Sequence, residues 1–142
     1  MRISLEMARS ALASQPFSRL LGAELSAFGE DMVELRVPIS DQLKQQHGFV
    51  HGGVIAYLAD NALAFAGGSA LGPAVVTSEF KINYVRPATG QQAVARAKVV
   101  TAGKSQAVCR CDIVCVSDGN EIVCAVAQGT INLLGNGRKG DE

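Results

Sequence analysis

The residues best suited to chemistry begin at His51-Gly52-Gly53 and end at Asp60, inside an apolar run that continues to Ala66. Two glycines let a ligand approach the backbone closely, and the amides of a helix's first turn have no partner inside the helix. Such amides can bind a developing oxyanion. Asp60 adds a carboxylate, and an unpaired carboxylate in an apolar helix needs either a specific partner or a catalytic task.

The spacing of these residues predicts how they can cooperate. Asp60 follows His51 by nine positions, which in a helix places the two side chains about 13 Å apart and on opposite faces. One chain cannot bring them together. If both act in one reaction, a second copy of the helix must supply one of them, so the spacing predicts a site shared across a two-fold dimer.

The composition predicts one globular domain over residues 1–142, because 48% of the residues are hydrophobic and no linker divides the chain. Lys plus Arg and Asp plus Glu number 13 each, which argues against a general nucleic-acid binder. Arg2, Glu6 and Arg9 interrupt any signal peptide, and polar residues interrupt the apolar run 54–76. We therefore expect a cytoplasmic protein that does not interact with a membrane.

The cysteines are expected to be structural. Cys109, Cys111 and Cys115 occupy odd positions of one strand-like stretch, and Cys124 lies further on. Residues so spaced share one face of a strand and pack as small apolar side chains, whereas a zinc site favours paired motifs such as C-x-x-C. The sequence therefore predicts no metal site.

Hydrophobic period and turn residues predict the elements before and including the apolar run. A short N-terminal helix over about 4–14 and a further helical turn come first. A strand hairpin follows around Gly29-Glu30-Asp31, and then an irregular polar segment. The central helix starts at His51-Gly52-Gly53, with stop signals at Gly67-Gly68-Ser69 and Gly72-Pro73.

Four strands should follow, over 74–85, 92–101, 106–116 and 121–134. Their connections are short and contain glycine, so we predict that the strands form an antiparallel meander. The second strand carries small alanines on one face, which suits a sheet curled around a helix. The glycine-rich, charged segment 135–142 predicts a frayed tail.

One long buried helix, with two strands before it and four after it, resembles the hotdog fold. The spaced motif resembles that of PaaI-like acyl-CoA thioesterases of phenylacetate degradation. That group carries Asn or Gln, a Gly three residues on, His-Gly-Gly three further, and an acidic residue nine after the His. The corresponding residues here are Gln45, Gly48, His51-Gly52-Gly53 and Asp60, and the segments 76–87 and 103–105 are also similar. The resemblance covers about residues 20–134 and implies an α+β fold, a curved antiparallel sheet wrapped around one long central helix.

The resemblance also implies a reaction, the hydrolysis of an acyl-CoA thioester to free acid and CoA. Asp60 would be the general base or nucleophile. The Gly52 N–H and Gln45 of the partner subunit would polarise the carbonyl, although the adjacent Gln46 is a second candidate for the amide. His51 would orient the thioester.

Further roles follow from the same resemblance. The hydroxyl beside the attacking water falls on Thr77, with Ser78 one register away. Substrate binding is implied for Gly53 and Ser78, and Arg86 and Lys104 are candidates for the CoA phosphates. No cofactor is implied, since coenzyme A is part of the substrate. The expected assembly is a homodimer or a dimer of dimers.

Two other functions remain open. A hotdog enoyl-CoA hydratase or dehydratase would place a His and an acidic residue near the acyl α and β carbons and release no thiol. A non-catalytic acyl-CoA-binding domain would be stabilised by ligand without hydrolysing it. Ala56 and Ala64 are expected to line the acyl pocket, which admits an aromatic or a medium-chain group.

Overall fold

The structure is a computed structural model that describes residues 2–134, so the predicted tail at 135–142 lies outside the described residues. In chain order, this part of the protein contains α1 (Leu5–Ala13), α2 (Pro16–Leu21), β1 (Glu24–Ala27), β2 (Val33–Pro38), a 3₁₀ turn (Asp41–Leu43), α3 (Gly52–Leu71), β3 (Val75–Tyr84), β4 (Gln92–Ala102), β5 (Gln106–Ser117) and β6 (Asn120–Leu133).

The six described strands form one antiparallel sheet in the order β1-β2-β4-β5-β6-β3. Tight connections join β1 to β2, β4 to β5 and β5 to β6, as their turn residues predict. The central helix α3 packs against β2, β3, β4, β5 and β6. The predicted α+β fold, a curved antiparallel sheet around one long helix, is confirmed.

The prediction of a four-strand meander is wrong at β3. This strand pairs with β6 and forms one edge of the sheet, whereas β4 pairs with β2. The connection between β3 and β4 crosses the ends of the two intervening strands. Along it, the Arg86 N–H donates to the Cys124 carbonyl on β6, and the Gln91 N–H donates to the Val116 carbonyl on β5. Turn residues predict hairpins between consecutive strands only. They could not indicate that β3 pairs with β6, which follows it in the chain after two intervening strands.

Small side chains let α3 approach the sheet closely. Ala93, Ala95 and Ala97 on β4 are at most 1% exposed, and Leu58 and Leu63 of the helix are fully buried. Close packing of this kind maximises dispersion contacts between helix and sheet.

The predicted helix stop at Gly67-Gly68-Ser69 is wrong, because α3 continues to Leu71 and ends at Gly72. Gly67 serves packing instead. A Cβ at this position would lie 2.5 Å from the Cβ of Ile131 on β6, so only glycine allows the helix to pass this strand.

One face of α3 is incompletely covered. Although the helix is apolar on all sides and long enough to suit a membrane span, only half of its most apolar window is buried in the protein. Phe17 of α2 packs edge-to-face on Tyr57, with ring centroids 5.3 Å apart. Ala56, Asp60 and Ala64 are only partly buried. The burial expected of this long apolar helix is therefore incomplete at Asp60 in one protomer.

Candidate active site

Two glycine N–H groups lie at the start of α3, and only one of them is hydrogen-bonded within the described part of the protein. His51 is the N-cap residue, and its Nδ1 accepts a hydrogen bond from the Gly53 N–H at 2.8 Å. A Cβ at position 53 would lie 3.0 Å from that Nδ1, so glycine leaves room for the imidazole to fold over the helix end. Within residues 2–134, the Gly52 N–H has no acceptor. Gly52 therefore supplies the amide that is available to a ligand oxygen.

The imidazole of His51 is held in one tautomer by this cap. Because Nδ1 accepts from the Gly53 N–H, the proton of the neutral ring resides on Nε2. The residue is exposed, so its Nε2–H is free to donate to a bound molecule.

Gln45 is oriented by the loop that precedes α3. Its Oε1 accepts from the backbone N–H groups of His47 and Phe49. Two backbone donors identify this atom as the amide oxygen, which leaves the NH₂ group available for a ligand. Gly48, at φ +88°, lies in the turn that directs these two backbone N–H groups towards Gln45. The neighbouring Gln46 is exposed and does not line the adjacent cleft.

A cleft of about 400 Å³ lies in front of this helix start. Gln45 and Gly52 both line it, as does Tyr84, which the sequence did not single out. The Tyr84 hydroxyl donates to the Gly52 carbonyl at 3.1 Å. Tyr84 lies in the segment 76–87, which resembles the PaaI-like group, and this resemblance is the sequence feature that could have indicated Tyr84.

Asp60 lies further along α3 and is hydrogen-bonded to the sheet. The Thr77 hydroxyl donates to Asp60 Oδ1 at 2.7 Å. The Ser78 hydroxyl instead donates to the Thr130 carbonyl at 3.1 Å, since neighbouring side chains point to opposite faces of a strand. Of the two possible registers, the structure brings Thr77 and not Ser78 to the carboxylate.

The two parts of the predicted site are separated within one protomer. Asp60 follows Gly52 by eight positions, a rise of about 12 Å along the helix. The edge strand β3 runs antiparallel to α3 and beside it. Its Tyr84 contacts Gly52, its Thr77 contacts Asp60, and its Val75 lies beside Gly68. The Gly52 N–H and the Asp60 carboxylate therefore lie at different positions along the pair formed by α3 and β3.

The two predicted phosphate-binding cations are also far apart. Arg86 lines the cleft at the Gly52 end and donates to the Val123 carbonyl at 2.9 Å. Lys104 is exposed in the β4–β5 turn. The adjacent Ser105 bonds to Leu133, which pairs with Val75 at the opposite end of β3. The structure does not bring Lys104 to the cleft of its own protomer.

The cysteines contribute packing and one cleft wall. All four are buried. Burial raises the pKa of Cys109 to about 11 and that of Cys111 to about 12, so both thiols remain protonated at neutral pH. Cys124 lines the cleft. Across residues 2–134, no group of three His, Cys, Asp or Glu side chains is arranged to hold a metal ion.

Comparison with known proteins relates this geometry to a family. The sequence pattern of the Thioesterase superfamily matches residues 47–122. A Haemophilus influenzae protein that carries an esterase name is 34% identical over 116 residues, which cover 80% of this chain and 82% of the relative.

Solved structures give the same result. A thioesterase family protein from Silicibacter pomeroyi superposes with a TM-score of 0.84 at 36% identity, covering 89% of this chain and 96% of that one. The Escherichia coli PaaI protein, from the phenylacetic acid degradation operon, superposes with a TM-score of 0.80 at 26% identity, covering 90% and 91%.

Proposed function

The chain belongs to the thioesterase superfamily, and from that premise we propose that it hydrolyses acyl-CoA thioesters to a free acid and coenzyme A. One observation carries the proposal. Gly52 and Gln45 line one cleft, and neither the Gly52 N–H nor the Gln45 NH₂ has a hydrogen-bond partner among the described residues. Asp60, whose carboxylate accepts a hydrogen bond from the Thr77 hydroxyl, lies on the same helix as Gly52. Thioester hydrolysis needs both, a donor set for the oxyanion and a carboxylate to activate water.

A second copy of the chain would bring the two parts together. β3 is a sheet edge with exposed apolar side chains near both of its ends: Val76 near the start, Tyr84 at the end and Val85 just after it are each 45% exposed or more. An exposed apolar edge strand favours pairing with another strand. Two β3 strands can pair antiparallel about a two-fold axis, which is the symmetry of most homodimers.

The register of such a pair follows from the contacts within the protomer. Because the bulge between Thr77 and Glu79 leaves Ser78 without a ladder position, an axis at Lys81 would set Tyr84 of one protomer opposite the partner's Thr77. Because Tyr84 contacts Gly52 and Thr77 contacts Asp60, the Gly52 amide would then face the partner's Asp60. This arrangement supports a site made by two subunits.

The proposed reaction assigns a task to each group. The thioester carbonyl oxygen accepts from the Gly52 N–H and the Gln45 NH₂, which stabilise the tetrahedral oxyanion by about 3 kcal/mol for each well-aimed donor. The partner's Asp60 removes a proton from water or attacks the carbonyl itself. The Thr77 hydroxyl holds Oδ1, which leaves Oδ2 free to react. Collapse of the intermediate breaks the C–S bond. With Asp60 as the base, the leaving thiolate takes up the proton that Asp60 removed from water. With Asp60 as the nucleophile, the thiolate leaves an acyl–Asp60 anhydride, and water hydrolyses this anhydride to the free acid and the Asp60 carboxylate, releasing the proton that the thiolate takes up.

The acyl group would occupy a second cleft, between α1 and α3, with a volume of about 210 Å³. Ala64 lines it and follows Asp60 by one helical turn, so the cleft begins next to the carboxylate. Its wall is largely apolar, with Ile3, Met7, Phe28 and Phe65 among the lining residues. Of the two alanines expected from the sequence, Ala64 lines this cleft and Ala56 does not.

Thiol release from a panel of acyl-CoA substrates tests the proposal. We expect at least one substrate to be hydrolysed, and we expect Asp60→Asn to lower kcat by orders of magnitude while the far-UV spectrum and Tm stay unchanged. Asp112→Asn, at an exposed carboxylate on the sheet, is the matched control and should retain wild-type kcat. Wild-type turnover in Asp60→Asn would exclude the mechanism, and hydration of an enoyl-CoA without thiol release would favour the hydratase alternative.

A further inference from the structure

Two cysteines that the proposed reaction does not use lie side by side, next to the cleft at the start of α3. Cys115 is on β5 and Cys124 is on β6, and they are 6% and 2% exposed. The register of β5 against β6 shifts between Ile113 and Val114, which leaves Cys124 without a ladder partner. A bulge of this kind redirects the side chain of the extra residue. Here the Cys124 thiol is in hydrogen-bond contact with the Cys115 thiol.

The contact between the two thiols stabilises one thiolate. The hydrogen bond from the Cys124 thiol outweighs the effect of burial and, together with one from the Thr89 backbone N–H, lowers the pKa of Cys115 from 9.0 to about 7. The same contact raises the pKa of Cys124, since its proton is held between two sulfur atoms. Near neutral pH a thiolate therefore lies next to a thiol, which is the arrangement of a reactive dithiol. Cys109 and Cys111, by contrast, both stay protonated.

The cleft gives small molecules access to this pair. Cys124 lines the cleft, and so do residues 85–88 of the connection between β3 and β4. The Val85 N–H donates to the Cys124 carbonyl at 2.9 Å, and the Thr89 N–H donates to the Cys115 sulfur. This side of the cleft is therefore hydrogen-bonded to both cysteines.

We propose that Cys115 and Cys124 form a thiol–disulfide exchange site that reacts with small disulfides through the cleft and closes a disulfide within the chain. The inference goes beyond the proposed hydrolysis, because none of the groups assigned to that reaction takes part. Cys109 and Cys111 cannot do the same, since they pair with Gly129 and Ala127 on β6 rather than with another cysteine.

The exchange takes two steps. The Cys124 sulfur attacks one sulfur of a small disulfide RSSR while its proton passes to the Cys115 thiolate, and RS⁻ leaves. This RS⁻ then takes the proton from Cys115, whose sulfur attacks the Cys124 sulfur and expels the second RS⁻. The two protein sulfurs are oxidised, and RSSR is reduced to one thiol and one thiolate.

Closing the disulfide should impair hydrolysis. It brings the two sulfur atoms from hydrogen-bond contact to a bond of about 2.0 Å, and it removes the thiolate that accepts from the Thr89 N–H. Both changes displace the connection 85–89, which is hydrogen-bonded to the two cysteines. Since part of this connection lines the cleft together with Gly52, we expect kcat/KM to fall by about 10- to 100-fold.

Treatment of the reduced protein with excess glutathione disulfide tests this inference. We expect two of the four thiols to be lost. Cleavage of the denatured protein after Glu121, which lies between the two cysteines, should give two peptides joined by a disulfide, as measured by mass spectrometry. After glutathione is removed, kcat/KM should be reduced, and dithiothreitol should restore it.

Cys115→Ala removes both the base and the second thiol, so no disulfide should form within the chain and kcat/KM should keep its untreated value. Cys115→Ser provides the same test if Cys115→Ala fails to fold. Cys111→Ala is the matched control on the same strand and should be oxidised and inhibited like the wild type.

The possible outcomes separate this inference from the proposed function. Failure of Cys115 and Cys124 to form a disulfide, or oxidation at other cysteines instead, overturns the exchange site while leaving the hydrolase intact. A disulfide that leaves kcat/KM unchanged overturns its effect on the cleft. Absence of hydrolysis by the untreated protein overturns the proposed function, and the peptide mapping still decides whether the exchange site exists.

Discussion

At the residue scale, the two ends of the Gln45 amide have separable tasks. Oε1 accepts hydrogen bonds from the loop backbone, whereas the NH₂ group has no partner within residues 2–134 and Gln45 lines the cleft. In Gln45→Glu, a carboxylate oxygen still accepts from His47 and Phe49, but the donor to the substrate carbonyl is lost. We expect kcat to fall by about 100- to 1,000-fold with little change in Tm.

Gln46→Glu introduces the same charge one residue away, on an exposed side chain. It should leave kcat near the wild-type value. If Gln46→Glu impairs hydrolysis and Gln45→Glu does not, the carbonyl is polarised by Gln46 and the assignment made here is wrong.

Thr77 and Ser78 make a second residue-scale comparison. Thr77→Val removes the hydrogen bond to Asp60 and should lower kcat by about 10- to 100-fold, the range for a hydrogen bond to a charged group. Thr77→Ser should restore most of the activity. Ser78→Ala loses only a bond to the Thr130 carbonyl and should be nearly neutral in steady-state kinetics. A strong effect at Ser78 together with a weak one at Thr77 would reverse the register.

At the scale of the elements, two adjacent glycines in α3 test how tightly the helix packs on the sheet. Gly67→Ala drives a Cβ to 2.5 Å from Ile131 and should destabilise the protein by about 1–3 kcal/mol. At Gly68 the nearest atom, Val75 Cγ2, lies at 3.6 Å, so Gly68→Ala should be neutral or stabilise the helix by up to about 1 kcal/mol. Urea denaturation measures both, and equal effects would contradict the packing described.

The elements also show what local sequence determines. Alternation and turn residues predicted the strands and the three hairpins, because those contacts join neighbours in the chain. The place of β3 beside β6 escaped prediction because a connection that crosses two strands has no local signature. The site motif was recognised, but Tyr84 was missed, since its role depends on contacts between distant segments.

The partly exposed face of α3 is a further feature that local sequence does not determine. An apolar pattern around a helix predicts burial, but it does not distinguish burial in the core from burial between subunits. Ala56, Asp60 and Ala64 are only partly covered in one protomer. The apolar pattern therefore predicts a helix that is buried on every side, whereas this face is partly exposed in one protomer.

At the scale of the whole molecule, an ionic network ties the strands together. Glu34 on β2 receives hydrogen bonds from Ser26 on β1 and Arg96 on β4, and Arg96 also pairs with Glu121 on β6. The bond from Ser26, assisted by those from Arg96 and Arg36, lowers the pKa of Glu34 from 4.5 to about 2.

A lowered pKa in the folded state means that the network stabilises the fold above pH 4.5 and that this contribution is lost as pH falls from 4.5 towards 2. Wild-type unfolding free energy should therefore drop across that window. Glu34→Gln should lower stability at pH 7 and flatten the decline, whereas Glu30→Gln, at an exposed position outside the network, should follow the wild type. An unchanged acid profile in Glu34→Gln would show that the network contributes little.

Subunit mixing tests most directly whether Asp60 of one protomer works with Gly52 and Gln45 of another. Asp60→Asn and Gln45→Glu should each be inactive alone. In a randomly exchanged equimolar mixture, half the dimers are mixed and one of their two sites is intact, so thiol release should recover to about a quarter of wild-type kcat. A mixture that exchanges subunits but stays as inactive as either parent would contradict the shared site.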